Sequence, residues 1–341
     1  MAPARRDGTT CGQHAGRAPR SRHPDAVRRP EPLPEQLRGR VAFSSSEARA
    51  LGATKARLEA SDLTTPFRGS RMLAGSAPTV RQLAMAYATR MQPGQFFSHA
   101  TAAVLNGVPL PTPIEADPRL HVSAVAGGSR PRSRGVVGHV VDASRTGTLI
   151  IGGVPMTDAA TTWCQLGAML GVDDLVAVGD FLVTGRRKLG GPPPAATHDT
   201  LARAVELHRG STGVAVLRAA LPLVRVGPLS RRESLLRRRI VRAGLPEPEV
   251  AFVVRDARLA GFEPTVDLAY PRYRIAIEYE GDHHRVPLQF RRDIRRYERL
   301  QDVGWVVIRV SAIDVPDGEL AGSEETIERI AARLHRRGRP G

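Results

Sequence analysis

The chain has 341 residues, of which 41% are hydrophobic and 4% aromatic, with 50 Lys and Arg against 34 Asp and Glu. This length accommodates about two or three domains with aliphatic cores, and the absence of any run of about 18 apolar residues excludes a membrane-spanning helix. The formal net charge of +16 favours a polyanionic partner, most simply nucleic acid.

The cysteine content indicates a reducing compartment. The only two cysteines are Cys11 and Cys164, so a structural disulfide is not expected and no zinc site can be built from cysteines. The N-terminus is rich in arginine but lacks the apolar segment of a signal peptide. We therefore expect a cytoplasmic protein.

Residues 1–36 are rich in Arg, Pro, Gly and Ala and contain few large apolar side chains. Such a composition predicts a disordered basic tail. The tail either contacts DNA or is simply solvated.

Residues 37–75 predict two short helices and a β-wing. In "SSSEARALG", Ser45 or Ser46 is the expected N-cap and Gly52 the helix end; "ATKARLEASDL" predicts the second helix, and "TTPFRGSRM" the wing. This order is that of a winged helix-turn-helix that binds DNA. A small helical cap with solvated arginines is the alternative. The candidate phosphate contacts are Arg49, Lys55, Arg57, Arg68 and Arg71.

Residues 76–226 predict a mixed α/β region. "TVRQLAMAYATRM" and "FFSHATAAVLNGV" have helical patterns, whereas "LHVSAV", "GVVGHVV" and "TLIIGGV" resemble strands. Thr157 is the expected N-cap of the apolar helix "TDAATTWCQLGAML". His99 and His121 have apolar neighbours in the sequence, so we interpret them as structural histidines rather than as metal ligands.

The same region resembles a known family. The segments "FFSHATAAVLNGVPLP" and "GVPMTDAATTWCQLGAMLGVDDLVAVGDFLV", together with the preceding "FSSSEARALGATKARLEASDLTTPFRGSR", are similar to AbiEi-type antitoxins of type IV toxin–antitoxin systems. The resemblance covers about residues 40–225 and rests on apolar positions and glycines. It implies a DNA-binding regulatory head.

Residues 227–341 predict a separate α/β domain. An amphipathic helix, "SRRESLLRRRIVRAGL", precedes the strand-like runs "EVAFVV", "TVDLAY" and "RIAIEYE", and a long basic helix ending at Gly304 precedes the buried strand "WVVIRV". Because the last strand returns through a helical crossover, we expect it to lie parallel to a neighbouring strand.

The second and third strands of this domain carry an unusual set of carboxylates. Glu278 and Glu280 are two residues apart, so both should point to one face of the sheet. Asp267 shares that face if an even number of residues joins the two strands, and lies opposite if the number is odd. The even connection predicts three converging carboxylates, which repel one another unless a cation neutralises them. All-oxygen ligands favour Mg²⁺ or Mn²⁺. The alternative is a polar sheet edge paired with nearby arginines.

The pattern "VDLAYP…IAIEYEGDHH…FRRDIRRYERLQDVGWVVIRV" resembles the PD-(D/E)XK nuclease superfamily, and most closely the Vsr-like (very-short-patch-repair) endonucleases. The resemblance implies a restriction-endonuclease-like fold, with Asp267 as the motif aspartate and Glu278 as the second metal ligand. Glu280 stands where the superfamily often has lysine, and no lysine follows Lys188 in this chain. His283 or His284 would assist as a base or as the acid for the leaving group.

Two further features have alternative interpretations. Glu233 belongs to a capping box with Ser230, and the resemblance adds it as a metal ligand; both roles are compatible. The arginines of the long basic helix either hold DNA phosphates or form a solvated face paired with Asp293 and Glu298. These arginines are Arg291, Arg292, Arg295, Arg296 and Arg299.

Together these features predict a Mg²⁺- or Mn²⁺-dependent endonuclease that hydrolyses DNA phosphodiester bonds, most simply in double-stranded DNA, with an N-terminal DNA-binding head. The alternative is a non-catalytic transcriptional regulator resembling a type IV antitoxin, in which the nuclease domain is degenerate. A third hypothesis is neutralisation of a toxin through protein contact.

Overall fold

The computed structural model of the chain describes residues 30–281, 287–316 and 323–338, with side chains for all of these except 188 and 287–293. Most of the predicted tail, together with His283 and His284, therefore lies outside the described residues. Of Arg291 and Arg292, only the helical backbone is described.

The N-terminal part is a three-stranded antiparallel sheet with two short helices. Its elements are β1 (Ala42–Ser44), α1 (Ser45–Ala50), α2 (Lys55–Leu58), β2 (Leu63–Thr64) and β3 (Ser70–Leu73). The strand order is β1-β3-β2, and Phe43 and Leu58 pack in its core. The predicted cap of α1 is wrong by one or two residues: Ser44 is the N-cap, and its Oγ accepts a hydrogen bond from the Glu47 backbone at 3.0 Å. Helix α2 is a single turn.

The middle part packs helices against a five-stranded sheet in the order β6-β5-β4-β8-β7. Its strands are β4 (Gln95–Phe97), β5 (Leu120–Val125), β6 (Val136–Val141), β7 (Thr148–Ile151) and β8 (Val154–Thr157). Its helices are α3 (Val80–Ala88), α4 (His99–Leu105), α5 (Thr112–Glu115), α6 (Ala159–Leu166), α7 (Val172–Thr184), α8 (His198–Leu207) and α9 (Val214–Ala220). Strands β5 and β6 are parallel, as are β4 and β8.

The predicted cap of α6 is also wrong. Thr157 is the last residue of β8 and is fully buried, and its hydroxyl is 2.8 Å from the Thr162 hydroxyl. Asp158 is the N-cap, accepting a hydrogen bond from the Thr161 backbone at 2.7 Å. An aspartate is at least as good an N-cap as a threonine, so the pair "TD" left this boundary ambiguous by one residue.

The C-terminal part is a four-stranded sheet between helices, with strand order β12-β11-β10-β9. Its elements are α10 (Arg231–Arg242), β9 (Glu249–Val253), β10 (Thr265–Tyr270), β11 (Ile275–Glu280), α11 (Pro287–Asp302), β12 (Val306–Ser311) and α12 (Glu324–Arg336). Strand β12 pairs with β11 in parallel, so the predicted parallel return is confirmed. The described residues form a mixed α/β protein, as predicted.

The two faces of this sheet have different cores. Leu268 and Ile277 pack with apolar residues of α10 and α12 on one face. Ala269 and Ala276 pack with Leu300 of α11 and with Val303 and Trp305, which follow it, on the other face. The sheet is therefore covered by helices on both sides, which explains the nearly continuous apolar runs of its strands.

The connection between β10 and β11 sets the register on which the predicted site depends. Tyr270 pairs with Ile275 and Leu268 with Ile277, so four residues join the strands. Extending this register places Asp267 opposite Glu278, on the same face of the sheet. The even connection considered from the sequence is thus the one that forms.

Helix α10 also packs on α7 of the middle part, through buried ion pairs. Arg237 of α10 and Asp180 of α7 are both fully buried and lie 3.0 Å apart. The same guanidinium donates to Glu247 Oε1 at 2.7 Å and to the Leu223 carbonyl at 2.9 Å. A buried arginine needs this set of acceptors, because an unpaired charge in the interior is costly.

No helix among the described residues is both long enough and apolar enough to cross a membrane.

The Arg237–Asp180 pair provides a test of the packing between α7 and α10. In Arg237→Met, Asp180 stays buried without its counter-charge, so the free energy of unfolding should fall by about 3–5 kcal/mol. Urea unfolding measures the loss. The control is Arg218→Met, which removes a pair with Glu206 whose partners are 49% and 66% exposed and should change stability by less than about 0.5 kcal/mol. A loss below about 1 kcal/mol in Arg237→Met would contradict this account.

Candidate functional site

Asp267 and Glu278 lie side by side where β10 and β11 separate. The backbone pairing of these strands runs from Tyr270–Ile275 to Leu268–Ile277. Beyond it, Asp267 Oδ2 accepts a hydrogen bond from the Tyr279 backbone N–H at 2.8 Å. The carboxylate thus accepts a hydrogen bond that a backbone carbonyl of β10 would accept in a regular sheet. This bond holds Asp267 against β11.

Glu233 approaches the same place from the first turn of α10. Its backbone N–H donates to Ser230 Oγ at 3.2 Å, and its Oε2 accepts from the Leu229 N–H at 2.8 Å. The serine half of the predicted capping box is present, and the charge of Asp267 raises the pKa of the buried Glu233 carboxyl. The role of Glu233 as a metal ligand stays a prediction.

The charge of Asp267 disfavours ionisation of both Glu233 and Glu278. Burial, and then the charge of Asp267, raises the pKa of Glu233 to about 8. Burial, followed by the charges of Asp267 and Glu233, raises the pKa of Glu278 to about 8 against the opposing effect of Arg296. Burial also raises the pKa of Asp267, although the Tyr279 N–H lowers it. The cluster needs protons or cations to be stable at neutral pH.

Arg296 of α11 provides one such cation. Its Nη2 donates to Glu278 Oε1, and its Nε is buried without a hydrogen-bond partner. From the sequence, we expect Arg296 either to hold DNA phosphates or to belong to a solvated face. In the structure its guanidinium points inward and neutralises a carboxylate, which removes it from a free DNA-binding face.

Glu280 has different partners from the other carboxylates. Nε and Nη2 of Arg309, on β12, both donate to its carboxylate, and the Tyr297 hydroxyl is 3.3 Å from Oε1. Within the described residues, no carboxylate trio has ligand oxygens all within 4.8 Å of one another. The structure thus brings Glu233, Asp267 and Glu278 to one place, but not as a compact three-ligand cage, and it holds Glu280 in an ion pair.

The predicted DNA contacts of residues 37–75 divide into two groups. Arg49, Lys55 and Arg68 are exposed. Arg57 is buried and makes two hydrogen bonds to Asp62, at 2.8 and 2.7 Å. Arg57 is therefore removed from the predicted phosphate contacts, because both terminal nitrogens of its guanidinium are bound within the protein. Arg71 likewise donates to backbone carbonyls, those of Leu58 and Ser70.

A second cluster, which sequence analysis missed, lies in the middle part. His99, His121 and His139 each offer a ring nitrogen, and these nitrogens lie within 4.8 Å of one another. They could hold a metal ion, so the alternative role of His99 and His121 as metal ligands stays open. The parallel pairing of β5 and β6 could have revealed the cluster, because it places Ser123 opposite His139. His121 is two residues from Ser123 on β5, so His121 and His139 share one face of the sheet.

Burial keeps these imidazoles neutral. It lowers the pKa of His99 to about 2 and that of His139 to about 4, with the neighbouring histidines adding to the effect. Burial is also the main cause of the lowered pKa of His121. His99 in addition has a backbone φ of +51°, a conformation that costs about 1–3 kcal/mol and that is concentrated at functional sites.

Comparison with known proteins gives a partial match. Two curated proteins of Mycobacterium tuberculosis, "Uncharacterized protein MT2308" and "Uncharacterized protein Rv2248", are each 34% identical to this chain over 136 residues. The match covers 39% of this chain and 47% of each relative, so the chain spans about half the length of the curated relatives it matches. No protein-family model matches the chain. No solved structure matches it either.

The raised pKa values predict how stability depends on pH. A carboxyl with a pKa above its unfolded value stabilises the fold when protonated, and this contribution is lost as the pH rises from about 4.5 towards 8. In EDTA, the melting temperature should therefore fall over this range, and it should fall less in Glu233→Gln. Thermal denaturation from pH 5 to 8.5 measures both slopes.

The control for this experiment is Glu263→Gln, which changes a carboxylate that is 53% exposed. Its slope should match that of the unsubstituted protein. Identical slopes for Glu233→Gln and the unsubstituted protein would show that the cluster does not titrate in this range.

Proposed function

We propose that the chain is a metal-dependent endonuclease whose C-terminal part hydrolyses DNA phosphodiester bonds. The observation that carries this proposal is the meeting of Asp267 and Glu278 on neighbouring strands, with Glu233 approaching from the preceding helix. Buried carboxylates that repel one another are expected where a cation or a phosphate-processing site requires them, and not in an ordinary core.

The topology supports the same proposal. Helix α10, strands β9 to β11, helix α11 and strand β12 follow one another in the order expected from the resemblance to PD-(D/E)XK nucleases. A fold alone does not define an activity. The proposal therefore depends on the carboxylates, which occupy the positions that the resemblance gives to metal ligands.

The donor set suits Mg²⁺ or Mn²⁺. The available atoms are carboxylate oxygens from Asp267, Glu278 and Glu233, and hard divalent cations prefer oxygen ligands. A bound ion would neutralise the developing charge on the phosphate and make water more acidic. In this proposal Asp267 is oriented by the Tyr279 N–H, and Glu233 by the Leu229 N–H.

The position at which many members of the superfamily have lysine is occupied by Glu280, and Arg309 binds this carboxylate with two nitrogens. The ion pair carries no net charge, and a guanidinium stays protonated at all relevant pH values, so Arg309 does not act as a base. The predicted role of His283 or His284 stays a prediction.

Residues 37–75 are proposed to bind double-stranded DNA. Helix, turn, helix and wing follow in the expected order, and exposed Arg49, Lys55 and Arg68 provide positive charge. Because α2 is one turn long, we expect phosphate contacts to dominate there over reading of base edges.

One observation favours the alternative, a DNA-binding regulator without catalytic activity. The guanidinium of Arg296 forms an ion pair with Glu278. One proposed metal ligand is therefore already neutralised by an arginine side chain. In a regulator this ion pair is permanent; in a nuclease, Mg²⁺ must share or displace it. A toxin-like protein partner belongs to this alternative.

The nuclease proposal predicts Mg²⁺-dependent nicking of supercoiled plasmid. Asp267→Ala should reduce the rate by at least about 100-fold, since loss of a ligand removes several kcal/mol of charge stabilisation at the phosphate. The matched control is Asp302→Ala, an exposed carboxylate at the end of α11, which should cleave normally. Equal cleavage by Asp267→Ala would refute the assignment, and DNA binding without any cleavage would favour the regulator.

The DNA-binding proposal predicts a specific salt dependence. Arg68→Ala should weaken duplex binding and lower the slope of log K against log salt concentration by about 0.9, the value for one lost phosphate contact. Fluorescence anisotropy at several salt concentrations measures the slope. Arg203→Ala, which removes an exposed arginine of α8, is the control. An unchanged slope in Arg68→Ala would place the DNA elsewhere.

A further inference from the structure

We propose that His99, His121 and His139 form a binding site for a divalent transition metal ion such as Zn²⁺. Three ring nitrogens lie within 4.8 Å of one another. They come from helix α4 and from the neighbouring parallel strands β5 and β6, which hold the rings in a defined arrangement. This site uses other residues than the proposed nuclease site, so the two proposals stand or fall separately.

The two strand histidines are separated by nearly the distance that one shared ion requires. His121 Nδ1 and His139 Nε2 are 3.0 Å apart. Two nitrogens bound tetrahedrally at about 2.0–2.1 Å lie about 3.3–3.4 Å apart, so this pair must open by about 0.3–0.4 Å. One ring must also tilt, because the two rings are nearly parallel, with planes at 13° and centroids 5.2 Å apart. One proton bridges the pair when no ion is bound. When an ion replaces it, this proton moves to the other nitrogen of its own ring, and both imidazoles remain neutral.

His99 must turn to complete the site. Its ring is stacked on that of His139, with centroids 3.9 Å apart and planes at 17°. An ion lies near the plane of each imidazole that binds it, so two stacked rings cannot both direct a lone pair at the same ion. A tilt of the half-buried His99 ring that keeps Nδ1 on Ser98 Oγ would bring Nε2 towards the other two nitrogens.

Hydrogen bonds behind His99 resemble those that orient metal-bound histidines. Nδ1 of His99 is 3.0 Å from Ser98 Oγ, and the Ser123 hydroxyl donates to the same oxygen at 2.7 Å. Gln165 Oε1 accepts from the His99 backbone N–H at 2.9 Å, at the residue with positive φ. Outer-shell bonds of this kind select the ring nitrogen that binds the ion, here Nε2 of His99.

The ligand set defines the class of ion. Imidazole nitrogens suit Zn²⁺, Co²⁺, Ni²⁺ and Cu²⁺, whereas Mg²⁺ prefers oxygen. Three protein ligands leave a fourth position, and half-buried His99 and His139 leave it accessible to water or to a small ligand. A metal-free cluster held by the shared proton is the competing outcome of the test.

The test is a titration of the full-length, chelator-treated protein with Co²⁺, followed by visible absorption. A nitrogen-rich tetrahedral site should give intense d–d bands that saturate at one equivalent and disappear on addition of Zn²⁺. The bands should be absent in His121→Ala and His139→Ala. Ser98→Ala should keep the bands but weaken the affinity by roughly 10–100-fold, as expected for loss of an outer-shell partner.

The controls separate this site from other metal-binding groups. His198→Ala removes an exposed histidine, and the double variant His283→Ala/His284→Ala removes the adjacent pair; both should retain the bands. Oxygen ligands such as Asp267 and Glu278 give only weak absorption with Co²⁺. Circular dichroism shows whether each variant is folded, and His139→Asn replaces His139→Ala if the latter unfolds. Absence of intense bands in the unsubstituted protein, or their persistence in folded His139→Ala or His139→Asn, would overturn the proposal.

Discussion

The pairing of a fully buried arginine with a fully buried aspartate determines where helix α10 lies. Arg237 binds Asp180 of α7, and Asp180 in turn accepts a hydrogen bond from the Arg225 backbone at 2.6 Å. Buried ion pairs contribute little net stability, because desolvation offsets their attraction, but breaking one is costly. The pair therefore acts mainly as a positional constraint. It places one face of α10 on the middle part, while Leu236 and Ile240 pack on the C-terminal sheet.

Fixing α10 also fixes Glu233, which begins the same helix. The carboxylate cluster thus depends on contacts made outside the C-terminal sheet, since a shift of α10 would separate Glu233 from Asp267. Ion pairs from Arg231 to Asp174 and from Arg238 to Asp173 add to the constraint. We infer that the middle part influences the proposed nuclease site through the position of this helix.

The two clusters that are proposed to bind metal ions differ in their electrostatics. The carboxylates carry negative charge into a buried place, so they require protons, Arg296 or a cation. The histidines are neutral when buried, so they are stable without an ion and still present lone pairs to one. The two clusters would also prefer different ions, because carboxylate oxygens suit Mg²⁺ and imidazole nitrogens suit Zn²⁺.

Local pattern in the sequence determined much of this protein. Period-two alternation located β10 and β11 and placed Glu278 and Glu280 on one face, the helical crossover implied the parallel strand β12, and "SRRE" indicated the start of α10. These features depend on neighbouring residues and on backbone geometry that any chain shares. Tertiary structure alone decided the partners: Arg309 for Glu280, Arg296 for Glu278 and His139 for His121. Such contacts join residues far apart in the chain, and only the packing of complete elements brings them within reach of one another.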